Sequence, residues 1–160
     1  VGDEGVAVVG GEALLRARAV IVAVPPRVAL PPLVEWEPKM ARASVRAMVG
    51  TPTWMAESSK VVATFSRPFW RDAGLSGEGQ SRAGPLHQFY DASEDGRDIF
   101  ALCAFMYADE ATPDGSDHDA EDRELRRGAV AQLVRMFGAD AEALLLDVVI
   151  HRWGREELTA

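Results

Sequence analysis

Hydrophobic and polar positions alternate over residues 59–66. Val61, Ala63 and Phe65 share one side, while Lys60, Val62, Thr64 and Ser66 share the other. This period of two predicts a strand with one core-facing side. The apolar run at residues 19–24 lacks such alternation and ends at Pro25-Pro26. It is expected where both faces of a strand are covered, and with residues 5–9 and the Gly10-Gly11 pair it predicts a hairpin. Residues 99–107 are also nearly all apolar, which predicts a strand central to its sheet. A further strand is expected at residues 86–91, and Pro68-Phe69-Trp70 breaks the alternating strand that ends at Ser66.

Helical spacing appears twice. Met40, Ala43, Val45, Ala47 and Met48 predict a short helix over residues 38–50, ended by Gly50. Asp119 is placed to cap a longer helix that Gly138 terminates, with Leu125, Ala129, Leu133, Met136 and Phe137 as its apolar stripe. Residues 144–153 read as a last strand. Strands, short helix, strands, long helix and strand follow one another without regular alternation, so the fold class is α+β with a largely antiparallel sheet.

Composition narrows the function. The chain has 160 residues, 48% hydrophobic and 26% charged, enough for a globular core. Its 25 acidic residues against 17 basic ones give a net charge of −8, which argues against nucleic acid or an anionic membrane as partner. No uncharged apolar run is long enough to span a bilayer, since Arg16, Arg18 and Arg27 bracket the longest, and a soluble, cytoplasmic protein is the default expectation. Cys103 is the single cysteine, so neither an intrachain disulfide nor a cysteine zinc site is expected. The strand pattern starts within about five residues of Val1, and the chain stops at Ala160 without a polar tail, so it reads as a piece of a longer protein.

Few residues stand out as carriers of chemistry. Gly10-Gly11 does not make a dinucleotide fingerprint, because Glu12 and Leu14 stand where its second and third glycines belong. His87, His118 and His151 have no ligand spacing, and the aspartates at 114, 117, 119 and 122 lack the glycine and glutamate of a calcium loop, so no metal is expected. No serine sits in a nucleophile elbow, and Ser76-Gly77 reads as a turn. Trp54, Trp70 and Trp153 suit core packing or the wall of a flat cofactor. Two of the 17 basic residues are lysines, Lys39 and Lys60. Lys60, on a strand beside apolar neighbours, is either a snorkelling cation or a lysine chosen for its compact ammonium.

Taken together, residues 19–26 (AVIVAVPP), Glu37-Pro38, 53–60 (TWMAESSK), 67–77 (RPFWRDAGLSG), Tyr90-Asp91-Ala92-Ser93, Phe137-Gly138, and Trp153 with residues 156–160 resemble the flavin-containing amine oxidase family, the bacterial members most closely. The resemblance covers essentially the whole chain. It implies a two-domain FAD enzyme that oxidises a primary or secondary amine or an amino acid to an imine. Hydride passes to the flavin, and oxygen is reduced to hydrogen peroxide. On this resemblance residues 1–38 belong to the FAD-domain side, 39–146 to the substrate domain, and 147–160 return towards the FAD domain.

The same resemblance implies Lys60 as the catalytic lysine that holds a water against the flavin. Val24, Pro25 and Trp153 are implied as cofactor-binding residues, and Gln88 and Phe105 as substrate-lining ones. The expected partners are an amine, molecular oxygen and the remaining FAD-binding segments of the same protein. The fingerprint and the C-terminal segment of the family are not found in these residues, so the piece alone is expected to be apo and inactive. Related flavoproteins that desaturate carotenoids or oxidise porphyrinogens share the implied architecture. A non-catalytic small-molecule-binding domain is the reading from outside the enzymes, although the apolar runs at 19–24 and 99–107 speak against independence.

Overall fold

The computed structural model describes residues 5–53, 58–107 and 118–159, and divides the chain into two compact units, Val1–Pro52 and Thr53–Ala160. Trp54, Asp114 and Asp117 lie outside the described residues.

In the first unit β1 (Val6–Gly10) pairs antiparallel with β2 (Ala13–Ala17). Gly11 and Glu12 form the two-residue loop, and Gly11 takes φ +58°, a conformation that favours glycine in tight hairpins. The second arm is therefore not residues 19–24, as the apolar run suggests. The tight loop returns the chain at once, the ladder is complete by Ala17, and the apolar run beyond it pairs with no strand among the described residues. Within its unit that run is exposed, with Ile21 at 92%. After Pro25-Pro26 a compact turn buries Val28, Ala29 and Leu30, and the Trp36 indole donates to the Ala29 carbonyl at 2.7 Å. Helix α1 (Arg42–Gly50) starts four residues later than the spacing predicts, because Ala41 remains extended at ψ 141°.

The second unit is built on a five-stranded antiparallel sheet in the order β4-β5-β6-β3-β7. Its strands are β3 (Ser58–Phe65), β4 (Gly79–Gln80), β5 (Gln88–Asp91), β6 (Phe100–Tyr107) and β7 (Leu145–Arg152). The apolar β6 is central, as expected. Strand β5 begins later than predicted, because the buried Gln132 side chain occupies both backbone groups of Leu86. Its Oε1 accepts the Leu86 N–H at 2.9 Å, and its Nε2 donates to the Leu86 carbonyl at 2.7 Å.

One face of the sheet carries Val61, Ala63, Phe65, Phe89, Leu102, Ala104, Met106 and Val148, and this is the core. The short helix α2 (Phe69–Asp72), the long helix α3 (His118–Phe137) and α4 (Asp140–Ala143) contribute the residues that cover it. Trp70 is fully buried, with its ring edge-on to Phe65 at 5.4 Å and to Phe69 at 5.1 Å. It is therefore a core residue and not a cofactor wall. Ala129 and Leu133 of α3 are buried, and Leu125, Val130, Val134 and Phe137 pack beside them. Met136 is 39% exposed, so of the predicted stripe it alone turns away, and Val130 and Val134 widen the packed face. Asp119 sits in the first helical turn, where its charge complements the positive end of the helix dipole, and not at the cap. Gly138, at φ +86°, closes the helix by donating to the Val134 carbonyl at 2.9 Å.

Candidate active site

The opposite face of the sheet holds the candidate chemistry. In an antiparallel sheet, residues directly opposite one another point to the same side, with strands about 4.8 Å apart. Register places Gln88 opposite Phe105, Phe105 opposite Lys60, and Lys60 opposite His151. Four adjacent strands thus present a single row, Gln88–Phe105–Lys60–His151. The next row on the same face is Tyr90, Cys103, Val62 and Val149.

Three of the residues singled out in the sequence, Lys60, Phe105 and Gln88, therefore stand side by side. Trp153 joins them through His151, whose ring meets the indole edge-on at a centroid distance of 4.2 Å. Tyr90 leans edge-on against Phe105 at 5.9 Å. Val24 and Pro25 belong to the first unit, where Val24 is exposed and the Pro25 carbonyl accepts the Ala29 N–H at 3.2 Å.

Lys60 is half-buried, and no carboxylate pairs with it among the described residues. Its close neighbour is Cys103. Burial pushes the Cys103 thiol up, and the Lys60 ammonium opposes that shift through its charge and a hydrogen bond. An ammonium without a counter-carboxylate keeps its donors available for a water or a substrate group.

The end of the face is held by ions. Trp153 opens a short 3-10 turn, Trp153–Arg155, directly after β7. Arg152 reaches Asp122 at 2.8 Å and Glu121 at 3.4 Å, and Arg155 reaches Glu121 at 3.0 Å. The residues on both sides of the turn are thus tied to the start of α3. Nε2 of His151 lies 3.6 Å from Glu156, just beyond the turn.

The residues on this face fit a flat aromatic cofactor. Phe105, Tyr90 and Trp153 offer ring surfaces around the Lys60 ammonium, and the rows are supported from behind by the core. Gly10-Gly11 does not fit a pyrophosphate, because it joins two antiparallel strands and does not lead into a helix N-terminus. Among the described residues no cluster of histidine, cysteine or carboxylate side chains is arranged to hold a metal ion. No described helix is long and apolar enough to cross a membrane.

His151, Tyr90 and Cys103 escaped the sequence reading as neighbours of Lys60. Alternation along β7 puts His151 on the same face as Val149, but only the pairing register brings it opposite Lys60.

Similarity to known proteins extends over the same residues. The profile of the flavin containing amine oxidoreductase family matches residues 2–160. A Mycobacterium tuberculosis protein assigned as a flavin-containing monoamine oxidase is 32% identical over 156 residues, covering 96% of this chain and 31% of that protein. Putrescine oxidase of Kocuria rosea is 32% identical over 147 residues, covering 91% and 29%. A structure of putrescine oxidase bound to putrescine superimposes with a TM-score of 0.73 at 26% identity, covering 99% of this chain and 34% of that one. The fold of cyclohexylamine oxidase from Brevibacterium oxydans matches with a TM-score of 0.74, over 99% of this chain and 33% of the other. The chain thus spans about a third of the length of these relatives. With residues 2–160 matched by the family profile, the chain belongs to the flavin-containing amine oxidoreductases.

Proposed function

We propose that the full protein is an FAD-dependent amine oxidase acting on a primary or secondary amine or an amino acid, and that the Gln88–Phe105–Lys60–His151 face forms one wall of its reaction site. The observation that carries this reading is the Lys60 ammonium, without a carboxylate partner among the described residues, set in a row with Phe105 and Gln88. FAD supplies the two-electron acceptor, so that loss of hydride from the carbon beside nitrogen leaves an imine for hydrolysis, with oxygen reduced to hydrogen peroxide.

Lys60 holds a water by N–H donation and keeps a proton close to the site of electron transfer. Phe105 and Tyr90 favour the uncharged amine and exclude bulk water, while the Gln88 amide hydrogen-bonds a polar end of the substrate. Trp153 provides a flat wall for the cofactor, and Val24 and Pro25 are further cofactor-binding residues in this reading. The remaining FAD-binding segments belong to the rest of the protein, so residues 1–160 alone bind no FAD and turn over no amine.

The test is Lys60→Met in the full-length protein, with flavin reduction by amine and reoxidation by oxygen followed separately in stopped flow. Loss of a positioned proton-handling group lowers at least one step by about a hundredfold or more. Two rates equal to those of the wild type would remove Lys60 from the mechanism.

A further inference from the structure

His151 stands across from Lys60, yet its own contacts lead in the other direction. Its ring meets Trp153 edge-on at 4.2 Å, and its Nε2 is 3.6 Å from Glu156 Oε1. That nitrogen is sheltered from solvent and has no hydrogen-bond partner. A buried polar atom left in this state is costly, and a small movement of the ring would satisfy it.

Among the described residues the charged groups placed beside the imidazole are Lys60, opposite it on β3, and Glu156 beyond the turn. Arg152 and Arg155 are already engaged by Glu121 and Asp122 of α3. Cys103 lies one row further along the face. A neutral ring with its hydrogen on Nδ1 leaves Nε2 nothing to donate to the carboxylate. A protonated one donates to it, and charge-assisted hydrogen bonds close to about 2.8 Å. The imidazole is in ring contact with the indole, so Trp153 must follow.

We infer that His151 is a positioning residue for Trp153: with Glu156 as its charged partner it fixes the indole beside Lys60, and the orientation of that ring follows the proton on His151. The consequence for turnover rests on the oxidase reading, whereas the coupling between the two rings does not.

The test is a pH titration of tryptophan emission in the full-length protein between pH 5 and 8, the range in which histidine ordinarily changes charge. The wild type is expected to show a pH-dependent component that disappears in His151→Gln and in Trp153→Phe, and shrinks in Glu156→Gln. Glu156 is half-exposed, so its variant keeps the test decisive should His151→Gln fold poorly. Absence of the component in the wild type, or its persistence at full amplitude in either His151→Gln or Trp153→Phe, would overturn the inference. With an amine substrate, His151→Gln is expected to lower kcat by about tenfold with KM little changed and to flatten the pH profile of kcat. Absence of amine turnover in the full-length wild type would sink the oxidase reading and leave the emission result standing. Unaltered emission would sink the role of His151 alone.

Discussion

The Trp70 indole and the Arg71 guanidinium donate to the same oxygen of Asp91, at 2.8 Å and 2.6 Å, while its other oxygen accepts the Ser93 N–H at 2.9 Å. Burial by itself would raise this carboxyl, but hydrogen bonds from Arg71, Ser93 and Trp70 outweigh it and hold the group well below the usual carboxylate range. The folded value is lowered, so the stabilisation is fully present above the ordinary pKa of about 4 and is lost as pH falls through the folded value. Asp91→Asn is expected to cost about 1–3 kcal/mol at pH 7, measured by urea denaturation. The gap to the wild type should narrow below about pH 4.

Gly74 and Gly77 adopt nearly the same left-handed φ, +74° and +77°, in different surroundings. A Cβ at Gly74 meets open space, whereas at Gly77 it would stand 2.9 Å from the Trp70 ring and 3.0 Å from the Asp91 Cβ. Gly74→Ala should therefore cost about 1–2 kcal/mol for conformation alone. Gly77→Ala should cost clearly more, because a fully buried indole cannot retreat. Thermal melts of the two variants side by side check the order.

The Gln132 clamp on Leu86 predicts an unusually sensitive polar position in the core. Gln132→Leu keeps most of the volume but strands one buried N–H and one buried carbonyl, each worth about 1–3 kcal/mol. A variant as stable as the wild type in urea would show that water replaces the amide.

Phe105 lies between Gln88 and Lys60 in the row, so Phe105→Ala opens the proposed substrate wall without touching the ammonium. In the full-length protein kcat/KM for an apolar amine should fall by about tenfold or more, through KM more than kcat. Steady-state kinetics across amines of increasing chain length would show the loss growing with the apolar part.

Much of the sheet was legible because the second unit obeys its own periodicity. Alternation in β3, the unbroken apolar β6, and Gly138 after α3 each act locally, and each element lies close to its expected position. The hairpin arm was misplaced because apolar content outweighed the geometry of a two-residue glycine loop. Lys60, Phe105 and Gln88 were found one by one through resemblance, but their alignment in a row depends on register between strands distant in sequence. The roles of His151 against Trp153, of Gln132 against Leu86, and of Arg152 and Arg155 against the start of α3 arise from tertiary approach, and no local pattern announces them.

The sheet ends in two dissimilar borders. On one side β4 is a strand of two residues, which gives a foreign strand almost nothing to extend. On the other side β7 runs for eight residues and pairs only with β3 among the described residues. Any edge-to-edge association of this sheet must therefore begin at β7. There Asp147, His151 and Arg152 punctuate the exposed Leu146 and Val149 and act as gatekeepers against cross-β growth. Replacing Asp147 and His151 with apolar residues would turn a protected border into a template for aggregation, while Arg152 also ties the end of β7 to α3.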